Sequence, residues 1–342
     1  MKTPLIIKLD HPSVNLVYTT DWHLTDIPPG KRQDDYRQAV MNKIRFHSAL
    51  CHKLHGIGLC GGDVFHVKHP RSRANTHSLV EETIETLKTF PLQTVFGTVG
   101  NHDIQFDRLD TLPGQPLGVV IRSGAYHNLA EQPIIFKNAD ESVRVLVESV
   151  GYCGTLGALK WLHENGNPTS SPRITLDVNY RVAIMHAYSK AGDRTNLYTE
   201  PVIGYNELAE LDFDIILWGH DHSRKETETV GNVTHVNLGS LARAAFSSDE
   251  IDRPVCATII SFGDAGIKMK EKHVPVQPLE IAFKAADRAT EKVRKQEAVT
   301  NFFTAMDEAV SDIESSDPKE VLEQLCPDNK PVLDTAIEMC EL

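Results

Sequence analysis

The sequence predicts an α/β fold: two packed sheets flanked by helices, then a short helical C-terminal extension. Three observations carry this. Five short apolar runs (residues 15–18, 57–60, 94–96, 181–185 and 214–218) each stop just before Asp, Asn or His. Up to about residue 100 such runs alternate with segments of helical period, as in βαβ units. Between about 130 and 275 short β-branched runs dominate, as in a second layer of strands.

Each element has its own signal. Residues 1–7 hold one Lys and a short apolar patch, with Lys8 and Asp10 after it, and read as a first strand rather than an export signal. Residues 34–55 place Val40, Ile44, Leu50 and Leu54 on one helical face, and Gly56 is the expected stop. Leu79, Val80, Ile84 and Leu87 repeat the pattern, which Pro91 closes. Strands are expected over 143–147, 233–236 and 255–260, and a Gly/Pro/Ser-rich loop over 165–172. From about Pro278 the chain is charged and helical, with helices expected over 282–310 and 318–325. This divides the chain into a main domain, 1–277, and a helical extension, 278–342.

Composition sets bounds. No run approaches the roughly 18 apolar residues of a membrane span. The six cysteines (51, 60, 153, 256, 326, 340) form no Cys-x-x-Cys pair, so free thiols in a reducing cytoplasm are expected and a structural zinc site is not. The net charge of −12 argues at first against nucleic acid. However, residues 281–342 hold 14 acidic and 7 basic residues, a net of −7, which leaves −5 for the rest. Whole-chain charge therefore leaves the partner open.

The chemistry lies in the residues just past the five runs: Asp21-Trp22-His23, Gly61-Gly62-Asp63, Gly100-Asn101-His102, His186, and Gly219-His220-Asp221-His222. Open α/β sheets bind ligands beyond the carboxyl ends of their strands, so the pattern sets these residues on one rim. Asp, Asn and His suit manganese, iron or zinc, and no cysteine joins them. Seven ligands (Asp21, His23, Asp63, Asn101, His186, His220 and His222) exceed one tetrahedral ion but suit two if Asp63 bridges. Two ions roughly 4 Å apart can hold a bridging hydroxide and clamp a phosphoryl group for in-line attack. His102, facing away from Asn101, is the expected leaving-group acid. Asp103 beside it is a candidate to orient it. The helix histidines His47, His52 and His55 lack ligand spacing and are expected to be solvated. His11, His77, His127, His163, His235 and His273 have no motif around them.

The ordered set Asp21-x-His23, Gly62-Asp63, Gly100-Asn101-His102-Asp103, His186 and Gly219-His220-x-His222 resembles the calcineurin-like metallophosphoesterases over residues 14–240. The resemblance implies a two-sheet sandwich with a dinuclear site. Asp21, His23, Asp63 and His222 would hold one metal, and Asp63, Asn101, His186 and His220 the other. His102 would be the phosphate-contacting acid. Within that superfamily, Asp63-Val64-Phe65-His66 with His69-Pro70-Arg71-Ser72-Arg73 after it resembles the SbcD-type DNA repair nucleases. That resemblance implies that His66 contacts and positions a phosphodiester. It also implies manganese as the metal, DNA as substrate, an SbcC-type coiled-coil ATPase as partner, and a homodimer formed through helices near the start of the chain. The turn Gly239-Ser240 fits the same branch. Lys31, Arg32, Lys68, Arg71 and Arg73 near the rim are candidate phosphate contacts.

The function expected is a metal-dependent DNA phosphodiesterase, exonuclease or endonuclease, of DNA repair or recombination. The alternative is a small-molecule phosphodiesterase or phosphomonoesterase, which would share every metal ligand.

Overall fold

Near-continuous apolar runs become strands here because both of their faces are covered. The computed structural model describes residues 3–69, 72–170, 172–192, 201–246, 251 and 253–284. Its strands in the first half are β1 (Leu5–Lys8), β2 (Val14–Thr19), β3 (Ile57–Cys60), β4 (Val95–Gly97), β5 (Tyr126–Asn128), β6 (Ile134–Lys137) and β7 (Arg144–Ser149). The later strands are β8 (Tyr180–His186), β9 (Ser189–Lys190), β10 (Ile203–Gly204), β11 (Ile215–Gly219), β12 (Glu228–Val230), β13 (Val233–Asn237), β14 (Cys256–Gly263) and β15 (Gly266–His273).

Among the described residues these form a seven-stranded sheet, β1-β6-β7-β8-β11-β13-β12, a six-stranded sheet, β15-β14-β2-β3-β4-β5, and a small β9–β10 ribbon. Alternation along each strand explains the layers. Leu16 and Tyr18 of β2 join Val182 and Ile184 of β8 and Ile215 and Leu217 of β11 in one core between the sheets. Val17 faces the other way, into a core shared with helices α1 (Tyr36–Leu54) and α2 (His77–Leu87). Ala183, Met185, Ile216 and Trp218 turn outward to pack on α4 (Gly154–Asn165), which comes after the shorter α3 (Pro116–Arg122). The two-sheet architecture expected from the sequence is the one observed.

Register brings the strand ends level. β2, β3 and β4 run parallel, with Thr19 opposite Cys60 and Cys60 opposite Gly97. On the other sheet β8 and β11 run parallel, with His186 opposite Gly219. The Tyr18 hydroxyl donates to the Trp218 carbonyl at 2.9 Å and ties the two sheets together at these ends.

Three details depart from the sequence reading. Helix α1 ends with His55, not Gly56, in the left-handed region (φ 49°), and the Gly56 N–H donates to the Cys51 carbonyl. His47 is not solvated. It is fully buried under β2, with Nε2 2.8 Å from the Val17 carbonyl and Nδ1 3.0 Å from Thr19 Oγ1. The carbonyl can only accept, so Nε2 carries the proton and both ring nitrogens are satisfied. Helices α3 and α4 add to the elements expected from the sequence.

The chain divides into two compact units, Met1–Phe283 and Lys284–Leu342. A short helix, Leu279–Ala282, ends at an extended Phe283. The helices expected over 282–310 and 318–325 otherwise lie outside the described residues. Among those described, Cys51, Cys60, Cys153 and Cys256 are free thiols, and no helix is long and apolar enough to cross a membrane.

Candidate metal centre

The ends of β2, β3 and β4 on one sheet and of β8 and β11 on the other deliver the expected ligands to one place. Asp21, His23 and His222 bring ligand atoms within 4.8 Å of one another, and so do Asp63, His186 and His220. Asn101 joins the second group, its Oδ1 lying 3.1 Å from His186 Nε2 and 3.0 Å from His220 Nδ1. Asp63 touches both groups, with Oδ2 3.6 Å from His23 Nε2 and 3.3 Å from His186 Nε2. His23 Nε2 lies 2.9 Å from His222 Nε2.

The backbone is forced to make this convergence. Asp21 (φ 52°), His23 (φ 47°), Asp63 (φ 49°) and His220 (φ 88°) all adopt the left-handed region, which costs non-glycine residues energy and clusters at functional sites. Gly62 (φ 98°) has no room for a side chain: a Cβ there would come within 2.8 Å of the Gly100 nitrogen and of His186 Nδ1.

A further set of contacts fixes the rings and turns. His186 Nδ1 donates to the Gly61 carbonyl at 2.8 Å, which turns a proton-free Nε2 toward Asp63 in the neutral ring. Thr20 Oγ1 donates to Asp21 Oδ2 at 2.5 Å, and the His220 N–H donates to Asp21 Oδ1 at 3.1 Å. The Ser240 N–H donates to the His222 carbonyl and its hydroxyl to the Asp21 carbonyl, so the Gly239-Ser240 turn latches the two sheets' loops together.

Burial sets the electrostatics. In the metal-free chain, burial raises the Asp21 carboxyl above its ordinary value despite His186 and His222 nearby. Burial also opposes ionisation of Asp63, yet the charge and hydrogen bond of His186, with His23 and His102, hold it well below the usual carboxylate range. The same pairing works against burial at His186 and raises it to about 9. Burial, reinforced by His186, pushes His220 down to about 3, and burial holds His23 well below its ordinary value.

These residues fit a pair of divalent ions. Metal–ligand distances of about 2.0–2.2 Å put two ligands of one ion at most about 4.4 Å apart, close to the spread found in each group. Each group pairs a buried carboxylate with imidazoles, a donor set suited to manganese, iron or zinc.

His66 and His102 border the first group: together with His23 they form a third cluster within 4.8 Å. The two rings stack with centroids 5.7 Å apart, and His66 Nδ1 lies 3.3 Å from His23 Nδ1. His102 Nδ1 donates to the His66 carbonyl at 2.6 Å, and the His102 N–H donates to Asp63 Oδ1 at 2.8 Å.

Two expectations need correction. Asp103 does not orient His102; the His66 carbonyl does. The Asp103 carboxylate instead accepts the N–H groups of Gly100 (3.0 Å) and Phe65 (3.2 Å) and clamps the two ligand loops together. Burial, then the charge of Asp63, raises it to about 7. Arg32 is no rim cation: it is buried, paired with Asp34 at 2.6 Å and bonded to the Arg243 carbonyl. Of the other basic candidates, Lys68 pairs with Asp107 at 3.4 Å, Lys31 lies 5.8 Å over the Phe246 ring, Arg73 is exposed, and Arg71 lies outside the described residues.

Sequence reasoning missed Tyr152 and Tyr188, whose rings lie 5.8 Å and 4.3 Å from that of His220. Tyr152 lies just past the end of β7 and Tyr188 just past the end of β8. The strand-end rule that found the ligands could have found both.

Residues 14–224 match the sequence profile of a family described as calcineurin-like phosphoesterase. Among curated proteins no sequence matches. Solved structures similar to this chain include a 5'-nucleotidase precursor from Thermus thermophilus (14% identity, TM-score 0.44, covering 84% of this chain and 59% of that one). Another is a purple acid phosphatase from yellow lupin seeds (12%, TM-score 0.45, 78% and 53%). A third is Vps29 complexed with zinc from Entamoeba histolytica (15%, TM-score 0.27, 77% and 100%). The chain thus spans a little over half the length of the first two.

Proposed function

The chain belongs to the calcineurin-like phosphoesterase family, and on that premise we propose that it hydrolyses phosphodiester bonds of DNA with two divalent metal ions, manganese foremost. The observation that carries the diester reading is the place of His66. It borders the first metal group and stacks on His102, where a second substituent of a phosphate would pass.

Asp21, His23, Asp63 and His222 would hold one ion, and Asp63, Asn101, His186 and His220 the other. Bound there, the ions supply Lewis acidity toward the phosphoryl oxygens and a water of lowered pKa. The protein's own groups do the rest. The carbonyl of His66 fixes the His102 ring through Nδ1, leaving Nε2 to hold the proton that passes to the departing oxygen. His66 contacts and orients the diester. Asp103 keeps the His66 and His102 loops in register. An SbcC-type coiled-coil ATPase partner and a homodimer belong to the same proposal.

A second reading, a small-molecule phosphodiesterase or phosphomonoesterase, draws support from the rim. Arg32 is buried and Lys68 is already paired, which thins the cationic track a DNA backbone needs. Manganese-dependent digestion of end-labelled linear DNA, run beside a bis-aryl phosphodiester with His102→Ala as control, separates the two. DNA loss that vanishes in the variant supports the nuclease. Cleavage of the small diester alone, unchanged by a cognate ATPase, moves the assignment to a small-molecule enzyme. His66→Ala should weaken diester cleavage about tenfold more than aryl monophosphate cleavage; equal losses would remove His66 from the diester-positioning role.

A further inference from the structure

Phe106 is the most exposed of the large apolar side chains among the described residues, at 84%. It also sits in the left-handed region (φ 53°), as does Asp107 after it (φ 52°). Two such residues in succession make the tight turn whose central positions ordinarily carry Asn and Gly. A bulky aromatic there is an outlier. The residue thus costs stability in its backbone and leaves its ring in water, where it gains nothing from burial.

The turn is held firmly all the same. The Arg108 N–H donates to the Gln105 carbonyl at 3.0 Å. Thr111 Oγ1 accepts the Gln105 N–H at 2.9 Å and donates to the Arg108 carbonyl at 2.6 Å. Ile104, at its base, is fully buried. The turn is also placed beside the site. Lys68, two residues after His66, reaches across to Asp107 at 3.4 Å. Phe106 is four positions after His102, so their Cα atoms lie at most about 14 Å apart. Arg108, just after the two central residues of the turn, pairs with Asp110 at 2.5 Å. An exposed aromatic ring can stack on a nucleobase whatever the base.

We propose that Phe106, at the tip of this rigid turn beside His66 and His102, is a stacking platform for the nucleobase next to the scissile phosphate. The proposal rests on the phosphodiesterase reading and names the feature of the substrate that the metal ligands cannot distinguish. It holds for a DNA strand or for a small nucleotide diester, since each carries a base.

The test compares two diesters with the same leaving group, thymidine 5′-(p-nitrophenyl phosphate) and methyl p-nitrophenyl phosphate, in the full chain with manganese. Wild type should prefer the thymidine ester in kcat/KM. That preference should fall about fivefold or more in Phe106→Ala, through KM, and survive in Phe106→Trp. A preference kept in Phe106→Ala, or absent from wild type, overturns the proposal. The tryptophan variant adds a readout independent of turnover: its emission should change saturably with thymidine 5′-monophosphate, beyond any change in wild type, and a flat titration likewise overturns it. Turnover of the thymidine ester without DNA digestion would remove DNA as substrate while leaving the stacking role to be judged by the ratio.

Discussion

On the six-stranded sheet, Asp21, His23 and Asp63 leave their strands through left-handed backbone, and their turns close on Gly62 with no space for a side chain. On the seven-stranded sheet, His186 is the last residue of β8, set by parallel pairing with Gly219, and of that sheet's ligands His220 alone among the described positive-φ residues is strained. The first rim supplies both carboxylates and the second supplies imidazoles only. The difference teaches where each kind of ligand is fixed. The carboxylates, which must be held close together against repulsion, depend on tight loop geometry. His186 depends on strand register, which the whole sheet enforces, while His23 and His220 depend on their turns as the carboxylates do.

The largest break should come at the residue shared by both groups. Asp63→Ala should lose both ions, measured by metal analysis after gel filtration, and lower turnover on the order of a thousandfold or more. Retention of one tightly held ion would show that the two groups do not share this carboxylate. His102→Ala should reduce turnover by roughly 10²–10⁴-fold while metal content stays near that of wild type. Loss of both metals in that variant would recast His102 as a residue that shapes the site rather than an acid. Next come the two glycines that compare the rims directly. Gly62→Ala adds a Cβ at positive φ against the Gly100 nitrogen, whereas Gly219→Ala adds one 2.5 Å from the Gly61 carbonyl and from Thr20 Oγ1. Each should destabilise by roughly 2–3 kcal/mol, with Gly62→Ala the worse for metal affinity. A reversed order in thermal melts and metal titrations would mean that strand register, not the loops, limits the site.

Much of the centre was legible because the chemistry is local to strand ends. An apolar run that stops at Asp-x-His or Gly-Asn-His is readable without knowing which sheet the strand joins. The illegible part depends on contacts distant in sequence. Arg32 looks like a rim cation until Asp34 and the Arg243 carbonyl take its guanidinium. Asp103 looks like the partner of His102, its neighbour, until the 3-10 turn Asn101–Asp103 directs the carboxylate back to Gly100 and across to Phe65. His47 carries no ligand spacing and joins none of the metal-type clusters among the described residues. Its burial is hidden from the sequence because its partners, Val17 and Thr19, are about thirty residues away. The two-sheet architecture was readable from alternating patterns, yet the pairing that sets β8 beside β11, with its ligands facing β2 to β4, was not.

The smallest effect is also the one that tests the comparison without touching a ligand. A buried histidine underlies each rim: His47 beneath β2, and His235 beside Trp218 of β11, whose Nε1 donates to His235 Nδ1 at 3.2 Å. Burial pushes both down to about 4. Their folded values lie below the unfolded value near 6.5, so the unfolded chain takes up protons first as pH falls. The stability they contribute is fully present above about pH 6.5 and is lost as pH falls toward 4. Each would account for roughly 2 kcal/mol between pH 7 and pH 5 as an upper figure. Gln at 47 can still donate to the Val17 carbonyl and accept from Thr19, so His47→Gln should flatten the acid limb of a melting-temperature curve taken on chelated protein. His235→Gln should flatten it as well. The two should part in metal retention. His47 supports Thr19, which also accepts the Trp22 indole N–H at 2.9 Å within the Asp21-Trp22-His23 turn. The His235 side chain meets β11 at the outward-facing Trp218 ring, on the side of the sheet away from the ligands. His47→Gln should therefore weaken metal binding several-fold and His235→Gln should not; equal losses would show that the Asp21-Trp22-His23 turn is no more sensitive to its support than the ligands of the seven-stranded sheet.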